Sequence, residues 1–239
     1  FYQIQVNSDN QPIGAEALLR WIDPMRGVVM PADFISLAEE TGLILPIGLW
    51  VLETACAQIK AWEANPLTCE LKLAINVSGR QFHQPDFVEQ VRQTLIKTGA
   101  VPNRLKLELT ESVVLDDIDD TIAKMHELKQ LGVRFSMDDF GTGYSSLSYL
   151  TQLPMDQLKI DQTFVHNIET KHTDAVIVQT IIGMGNTLGM EVIAEGVETE
   201  QQREFLYRAG CTRYQGYLLS KPVPLEEFEN ALLGPGFPG

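Results

Sequence analysis

Cysteine and histidine are both scarce in this chain of 239 residues. The three cysteines, Cys56, Cys69 and Cys211, lie far apart, and their odd number and spacing argue against a disulfide framework and against a cysteine metal site. We expect them to be buried or unreactive thiols in a protein of the reducing cytoplasm. The four histidines are scattered, which excludes a histidine-rich zinc hydrolase.

Positive charge is also in short supply. The chain has 18 lysines and arginines against 32 acidic residues, and its formal net charge is −14. A surface of this sign repels phosphate backbones, so we expect no binding of nucleic acid polymers. A smaller anionic ligand can bind only where a bound cation or a well-placed Arg or Lys reverses the local field.

Long hydrophobic runs are missing as well. No window approaches the roughly 18 uninterrupted apolar residues of a membrane span, and no charged-then-apolar leader resembles a signal peptide. We therefore expect no membrane contact by this domain, although a longer parent protein could be anchored. The chain opens on a strand-like run, and its length suits one globular domain. We expect residues 1–239 to be a single domain cut from a longer protein.

Short strand-like runs alternate with helix-like runs along the chain. The predicted strands are 2–6, 13–21, 71–77, 105–109, 134–138, 157–160, 191–194 and 212–217. The predicted helices include 31–40, 46–63, 85–97, 118–130, 174–188 and 200–208. Eight strands alternating with helices over this length predict an α/β fold, a TIM-like (β/α)8 barrel.

The first connection departs from this regular pattern. Only residues 7–12 separate the first two predicted strands, whereas a crossover between parallel neighbours needs about a dozen residues or more. We therefore predict a hairpin here. The barrel should have its first strand antiparallel to the second.

Polar side chains lie at or near the ends of the predicted strands. These ends meet on one face of a barrel, where active sites of this architecture are built. Charged residues are rarely buried unless they are paired or bind a metal. From the second predicted strand to the eighth, the residues are Glu16 and Arg20; Asn76; Glu108 and Glu111; Asp138 and Asp139; Lys159 and Asp161; Glu195 and Glu198; and Gln215.

The acidic residues of this set have two interpretations. A single carboxylate at a strand end is usually solvated or caps a helix, and Asp139 or Asp161 alone fits that description. Several carboxylates converging on one point repel each other unless a cation is present, and their oxygens are the ligands that Mg²⁺ and Mn²⁺ prefer. Asp138 and Asp139 can both reach such a site if the strand breaks at the following Gly141 and Gly143. One carboxylate would then bridge two ions.

Seven blocks of the sequence, taken together, are similar to those of the EAL domain family, whose signature is the run Glu16-Ala17-Leu18. The blocks occur in order over essentially the whole chain, and no position expected to matter departs from the family pattern. They comprise residues 16–21; 76–78 with 81–82; 107–112; 138–147; 158–161; 192–199; and 215–217.

The resemblance implies a role for each residue of the polar set. The implied ligands of a first metal are Glu16, Asn76, Glu108 and Asp138, and those of a second are the bridging Asp138 with Asp139 and Asp161. Glu195 is the implied general base, Lys159 holds the attacking water, and Glu111 keeps the loop at 139–147 in place. The implied substrate contacts are Leu18 and Arg20, with Arg20 on a phosphate, and Glu198 and Gln215 for the remaining substrate or loop groups.

The same resemblance implies a bacterial signalling enzyme, a cyclic di-GMP-specific phosphodiesterase that depends on Mg²⁺ or Mn²⁺, with two ions. In-line attack by water would give linear 5′-pGpG, whereas Ca²⁺ would bind and inhibit. The family tends to dimerise near the loop at 139–147, so a homodimer is expected. A catalytically silent cyclic di-GMP receptor is the alternative, although such relatives typically lack metal ligands, the base or the loop glutamate, and all are present in this sequence.

Overall fold

A computed structural model of the chain describes residues 1–141 and 147–233, without the side chains of residues 147, 148 and 233. Ten strands lie within these residues. They are β1 (Tyr2–Asn7), β2 (Pro12–Ala17), β3 (Trp21–Asp23), β4 (Gly27–Val29), β5 (Lys72–Asn76), β6 (Leu105–Thr110), β7 (Arg134–Phe140), β8 (Gln157–Ile160), β9 (Glu191–Ala194) and β10 (Arg213–Tyr214).

Eight of these strands close into a barrel in the order β1-β10-β9-β8-β7-β6-β5-β2. Strand β1 is antiparallel to both of its neighbours, whereas the other neighbouring barrel strands are parallel. A tight turn reverses the chain after β1, with backbone hydrogen bonds of 3.0 Å from Asn7 to Gln11 and from Asn10 to Asn7. The predicted TIM-like barrel, with its first strand antiparallel to the second, is confirmed.

Helices connect the strands around the outside of the barrel. They are α1 (Ile35–Thr41), α2 (Ile44–Trp62), α3 (Gly79–Phe82), α4 (Phe87–Thr98), α5 (Glu111–Asp116), α6 (Ile118–Leu131), α7 (Leu147–Leu150), α8 (Gln162–Asn167), α9 (His172–Leu188), α10 (Glu200–Ala209) and α11 (Leu225–Leu233). The predicted start of α10 is confirmed: Thr199 and Gln202 form a reciprocal capping box.

Strand β6 illustrates how the fold separates its core from its polar interior. Leu105, Leu107 and Leu109 are fully buried in the hydrophobic core between sheet and helices. Burying each such side chain contributes about 1.5–3 kcal/mol. Lys106 and Glu108 alternate with these leucines, so they face the inside of the barrel.

Two predicted strands exceed the strands of the structure by several residues. The run 13–21 ends as a barrel strand at Ala17, and the chain then enters a separate hairpin of β3 and β4. This hairpin forms because the Asp23 carboxylate accepts hydrogen bonds of 2.8 Å from the backbone N–H groups of Met25 and Arg26. Arg20 therefore lies beyond β2, not within it. The run 212–217 is reduced to the two residues of β10, so Gln215 lies just past the strand.

Helix α2 is long and apolar enough to cross a membrane by length and composition, with a mean hydropathy of 1.2. It nevertheless carries Glu53 and Lys60, and its face with Leu52, Cys56 and Ile59 is buried in the core. One such helix is weak evidence for a membrane span, because the core helix of a barrel passes the same test.

Candidate active site

The Lys159 ammonium lies at the centre of a group of acidic side chains at the carboxyl ends of the barrel strands. Its Nζ atom is 2.5 Å from Glu108 Oε2, 2.7 Å from Glu195 Oε1, 3.1 Å from Asp138 Oδ1 and 3.5 Å from Glu16 Oε2. We call these four carboxylates and Lys159 the carboxylate cluster. All five residues are predicted from the sequence to lie at this face, and the structure brings them together.

The backbone of β7 explains how two adjacent aspartates reach the cluster. Met137 pairs with Leu158 and Phe140 with Ile160, so Asp138 and Asp139 together lie opposite the single residue Lys159 of β8. This is a β-bulge, a feature common beside active sites. Asp139 adopts φ 53°, an unusual conformation for a residue with a side chain. The expected strand break therefore occurs at Asp139 itself, before Gly141, and Gly143 lies outside the described residues.

Glu16 is held from two sides by amide groups. Asn76 Nδ2 donates to Glu16 Oε1 at 2.7 Å, and Gln215 Nε2 donates to Glu16 Oε2 at 2.6 Å. Burial alone would raise the pKa of Glu16, but the nearby Lys159 ammonium and these two hydrogen bonds lower it. Glu16 is thus kept as a carboxylate.

The other members of the cluster have perturbed protonation equilibria. Burial, together with the charges of Glu16 and Asp138, raises the pKa of Glu108 to about 8. Burial, with the charge of Asp138, raises the pKa of Glu195 well above its ordinary value. Burial opposes the charge on Lys159, but the surrounding carboxylates, led by Glu108, raise its pKa well above the usual value. Four carboxyl groups therefore surround one cation, and their burial and mutual repulsion favour the protonated forms of Glu108 and Glu195.

Asp139 and Asp161 form a second acidic pair beside the cluster. Burial, the charge of Asp138 and the contact with Asp161 raise the pKa of Asp139 to about 6. Asp161 caps helix α8, because its Oδ1 atom accepts a hydrogen bond of 3.0 Å from the backbone N–H of Thr163 and another from the Thr163 hydroxyl. The capping role considered for Asp161 from sequence is therefore present, and its carboxylate still lies against Asp139.

Glu195 follows β9 at a sharp turn of the backbone. Its backbone N–H donates to Ile160 O at 3.1 Å, which continues the ladder with β8. The next residue, Gly196, has φ 63°, and a Cβ atom there would lie 2.6 Å from Gln162 Cβ. Only glycine fits this turn without strain, and the turn directs Glu195 towards Lys159.

Glu111 is the first residue of α5 and lies away from Lys159. It is 6% exposed, and neither of its carboxylate oxygens has a hydrogen-bond partner among the described residues. Phe140, Tyr149 and Leu150 line the small cavity beside it. Glu111 is predicted to hold the loop at 139–147, of which residues 142–146 lie outside the described part of the chain. A buried carboxylate without a donor is costly, so this position calls for a partner.

The residues predicted to contact substrate are distributed around the mouth of the barrel. Leu18 lines a cavity of about 410 Å³ that also reaches Asn76 and Glu108. Arg20 lies farther out, with its guanidinium 5.9 Å from the centre of the Phe1 ring. Glu198 is exposed at the rim. Gln215 is instead buried and hydrogen-bonded to Glu16.

A second buried polar group lies one layer deeper in the barrel and was missed by the sequence analysis. We call it the amide layer; it comprises Gln5, Lys106, Ser136 and Gln157. Lys106 Nζ donates to Gln157 Oε1 at 2.8 Å, and the Ser136 hydroxyl donates to the same oxygen at 3.1 Å. Lys106, Ser136 and Gln157 each precede a cluster residue by two positions on β6, β7 and β8. Polar residues repeated at this spacing between apolar neighbours were the sequence signal for an inward-facing layer.

The donor set fits divalent cations. Its oxygens come from carboxylates and one amide, which are hard ligands of the type that Mg²⁺ and Mn²⁺ prefer. Glu108 Oε1 is buried and has no hydrogen-bond partner among the described residues. Within those same residues, no three acidic, cysteine or histidine side chains are already arranged as a metal site. Lys159 lies between the carboxylates, so a cation must compete with its ammonium for their oxygens.

Among curated relatives, the bifunctional diguanylate cyclase/cyclic di-GMP phosphodiesterase MucR of Pseudomonas aeruginosa is 45% identical over 227 residues, which is 95% of this chain and 33% of MucR. The cyclic di-GMP phosphodiesterase NbdA of the same species is 41% identical over 225 residues, 94% of this chain and 29% of NbdA. This chain therefore spans about a third of the length of these relatives.

Solved structures agree with this similarity. The structure described as "PaMucR Phosphodiesterase, c-di-GMP complex" has a TM-score of 0.92 and 44% identity, and the match covers 95% of this chain and 92% of that one. The family profile described as "EAL domain" matches residues 1–222. With its carboxylate cluster at the mouth of a barrel that has one reversed strand, the chain belongs to the EAL domain family.

Proposed function

We propose that this domain hydrolyses cyclic di-GMP to linear 5′-pGpG in a reaction that requires divalent metal ions. The observation that carries the proposal is the carboxylate cluster, in which three proposed metal ligands and the proposed general base lie within 3.5 Å of Lys159. Two relatives named as cyclic di-GMP phosphodiesterases, at 45% and 41% identity, support the substrate. The complex of the relative PaMucR with c-di-GMP supports it further.

The metal ligands belong to two overlapping groups. Glu16, Asn76, Glu108 and Asp138 would hold one ion, and Asp138, Asp139 and Asp161 a second. We propose Mg²⁺ or Mn²⁺, because all the donors are oxygens. Bound there, the ions would lower the pKa of the attacking water and neutralise phosphate charge. The cations also allow a protein of net charge −14 to accept an anionic dinucleotide.

Glu195 and Lys159 handle the attacking water. Glu195 accepts its proton, because its carboxylate lies against Lys159 beside the proposed metal ligands and is free of the ligand role assigned to them. Lys159, fixed at 2.7 Å from Glu195, donates a hydrogen bond to the water and holds it in place. The water then attacks phosphorus in line with the departing 3′-oxygen. One phosphodiester bond opens and the other remains, which gives 5′-pGpG.

Substrate binding falls to the residues around the barrel mouth. Leu18 contacts the dinucleotide from the wall of the 410 Å³ cavity, and Arg20 binds a phosphate. Glu198, at the rim, contacts a further group of the substrate or of a loop. Gln215 is better suited to orienting Glu16 than to touching substrate directly, because it is 4% exposed and already donates to that carboxylate. Glu111 would accept hydrogen bonds from the loop that follows Gly141, which explains why its buried carboxylate has no other partner among the described residues.

The setting of the domain follows from the same proposal. We infer a single catalytic domain of a longer, multidomain bacterial signalling protein, working in the cytoplasm and assembling as a homodimer near the loop at 139–147. The matched relatives are about three times as long as the matched region. Sedimentation with and without cyclic di-GMP measures the assembly, and a monomer under both conditions contradicts it.

The decisive experiment is incubation of the purified domain with cyclic di-GMP and either Mg²⁺ or Mn²⁺, with chromatographic analysis of the product. We expect 5′-pGpG with either ion and no turnover in excess EDTA. Ca²⁺ should bind yet support little turnover, because its larger and looser coordination positions the attacking water poorly. Binding of cyclic di-GMP without hydrolysis in either ion would instead identify a receptor. Full activity in EDTA would contradict the metal requirement.

A further inference from the structure

A continuous row of hydrogen bonds connects the amide layer with Glu16. Lys106 Nζ lies 3.5 Å from Gln5 Oε1, Gln5 Nε2 donates to Gln215 Oε1 at 2.9 Å, and Gln215 Nε2 donates to Glu16 Oε2 at 2.6 Å. All four side chains are at most 4% exposed. The row therefore runs through the buried interior of the barrel, where each polar group needs a partner.

The chemistry of its two ends gives the row a single direction. The Glu16 carboxylate can only accept hydrogen bonds, and the Lys106 ammonium can only donate them. Gln215 must therefore present its NH₂ group to Glu16 and its oxygen to Gln5. Gln5 must in turn present its NH₂ group to Gln215 and its oxygen to Lys106. If either amide turned over, two oxygens or two NH₂ groups would face each other.

The surroundings reinforce this arrangement. Gln215 Nε2 also donates to Gln3 Oε1 at 3.0 Å, so the same amide orientation satisfies a second acceptor. Gly14, which pairs with Gln5 across the hairpin, leaves space for the Gln5 amide, since a Cβ atom at Gly14 would lie 3.4 Å from Gln5 Oε1 and 2.6 Å from Lys72 O. Gln3 and Gln5 both come from the reversed strand β1. That strand supplies amides to the interior and no metal ligand.

We propose that Lys106, Gln5 and Gln215 form a directional relay that orients the Glu16 carboxylate for metal binding, with Gln5 and Lys106 as positioning residues. This inference rests on the proposed function, in which Glu16 is a metal ligand. Partners that orient a metal ligand commonly change metal affinity about 10–100-fold when they are removed. The relay thus acts on metal affinity, whereas Glu195 and Lys159 act on the chemical step.

The test compares two buried glutamines that both accept from Lys106. Gln5 leads on to Gln215 and Glu16, whereas Gln157 contacts Ser136 and is connected with Glu16 only indirectly, through Lys106 and Gln5. Gln5→Met and Gln157→Met each remove one amide, keep a similar volume and leave Lys106 with one acceptor. Calorimetric titration of each purified, EDTA-stripped protein with Mn²⁺ alone gives the metal dissociation constant without relying on turnover.

Gln5 acts on Glu16 through Gln215, so we expect Gln5→Met to weaken Mn²⁺ binding about tenfold, the lower end of that range, and Gln157→Met to bind close to the wild type. With cyclic di-GMP, Gln5→Met should need correspondingly more Mn²⁺ for half-maximal activity and reach nearly the wild-type kcat at saturating metal. Equal weakening in both variants would reduce Gln5 to a general packing role and overturn the relay. An unchanged Mn²⁺ affinity in Gln5→Met would also overturn the relay.

Two further outcomes are separable. If Gln5→Met does not fold, Gln5→Asn takes its place, because it withdraws the same amide from Gln215 by one methylene; weakened Mn²⁺ binding supports the relay and unchanged binding overturns it. If the wild type neither binds Mn²⁺ nor cleaves cyclic di-GMP, the proposed function fails and the relay with it. If the wild type does both while the two Met variants match, the relay alone fails.

Discussion

Lys159 and Lys106 are both buried inside the same barrel, at 1% and 3% exposure, yet their surroundings differ completely. Burial disfavours the charge on each. Around Lys159 the carboxylates, led by Glu108, outweigh this effect and raise its pKa well above the usual value. Around Lys106 the contacts are amide oxygens, and burial lowers its pKa to about 8. The two lysines are almost equally buried, so the type of partner decides the charge state of each.

The carboxylate cluster and the amide layer therefore have different roles within one barrel. The carboxylate cluster concentrates charge where a cation, a phosphate and a water would meet, and small changes there should affect the reaction itself. The amide layer contains a single charge and satisfies it with neutral groups, so changes there should affect orientation and stability. The following predictions test this division.

The largest effect is expected at the base of the carboxylate cluster. Glu195→Gln keeps the shape of the side chain but removes its basicity, so kcat should fall about 10²–10⁴-fold. Affinity for cyclic di-GMP, measured by calorimetry with Ca²⁺, should survive. Loss of metal and ligand binding together would make Glu195 a metal ligand, and a wild-type rate would contradict the assigned catalytic centre.

The two lysines themselves provide the most direct comparison. Lys159→Met removes a donor fixed at the reaction centre, which typically costs about 10²–10³-fold in kcat. Lys106→Met should leave kcat at saturating Mn²⁺ within about tenfold of the wild type, because Lys106 touches no reacting group. Steady-state rates over a range of Mn²⁺ concentrations measure both. Equal losses of kcat in the two variants would remove the distinction between the layers.

A smaller loss is expected at Glu111, which lies outside both layers. Glu111→Ala should lower activity about 10–100-fold by leaving the loop after Gly141 without its acceptor. Glu127→Ala on α6 is the control, because that glutamate is exposed. Activity with saturating Mg²⁺ is the measurement. If both variants retain the wild-type rate and metal dependence, Glu111 has no role in the site.

The smallest effect concerns stability in the amide layer. The folded pKa of Lys106, about 8, lies below its ordinary value of about 10.4. Between these values the unfolded chain binds more protons than the folded one, so Lys106 makes stability rise with pH over this window. The free energy of unfolding of the wild type, relative to Lys106→Met, should therefore grow by about 1–3 kcal/mol from pH 8 to 10. Urea unfolding in EDTA measures it, and a difference that is constant or falls with pH contradicts the assignment.

Much of the fold was predictable because its signals are local. The alternation of strand and helix patterns predicts the barrel, and the short connection at residues 7–12 predicts the reversed strand. The hairpin of β3 and β4 was missed because residues 13–21 were predicted as one strand, whereas β2 ends at Ala17 and β3 begins at Trp21. The turn of this hairpin is closed by the side chain of Asp23, which accepts hydrogen bonds from the backbone of Met25 and Arg26.

The candidate site was predictable as a set of residues but not as a geometry. Glu16, Glu108, Asp138, Lys159 and Glu195 could be assigned to one face because barrel strands end there together. The bulge that brings Asp139 to the same face depends on pairing between β7 and β8, which no local pattern specifies. The expectation that Gln215 contacts substrate did not anticipate its burial against Glu16.

By itself, the sequence determined the architecture, the reversed first strand and the collection of oxygen donors at the barrel mouth. Only the tertiary structure decided which atoms meet. Lys159 contacts Glu16 across 143 residues of chain, and Gln215 reaches Gln5 across 210. Hydrogen bonds and ion pairs form only when the distance between their two atoms is correct to within a few tenths of an ångström. Such distances are fixed by closure of the whole barrel, because each partner comes from a different strand.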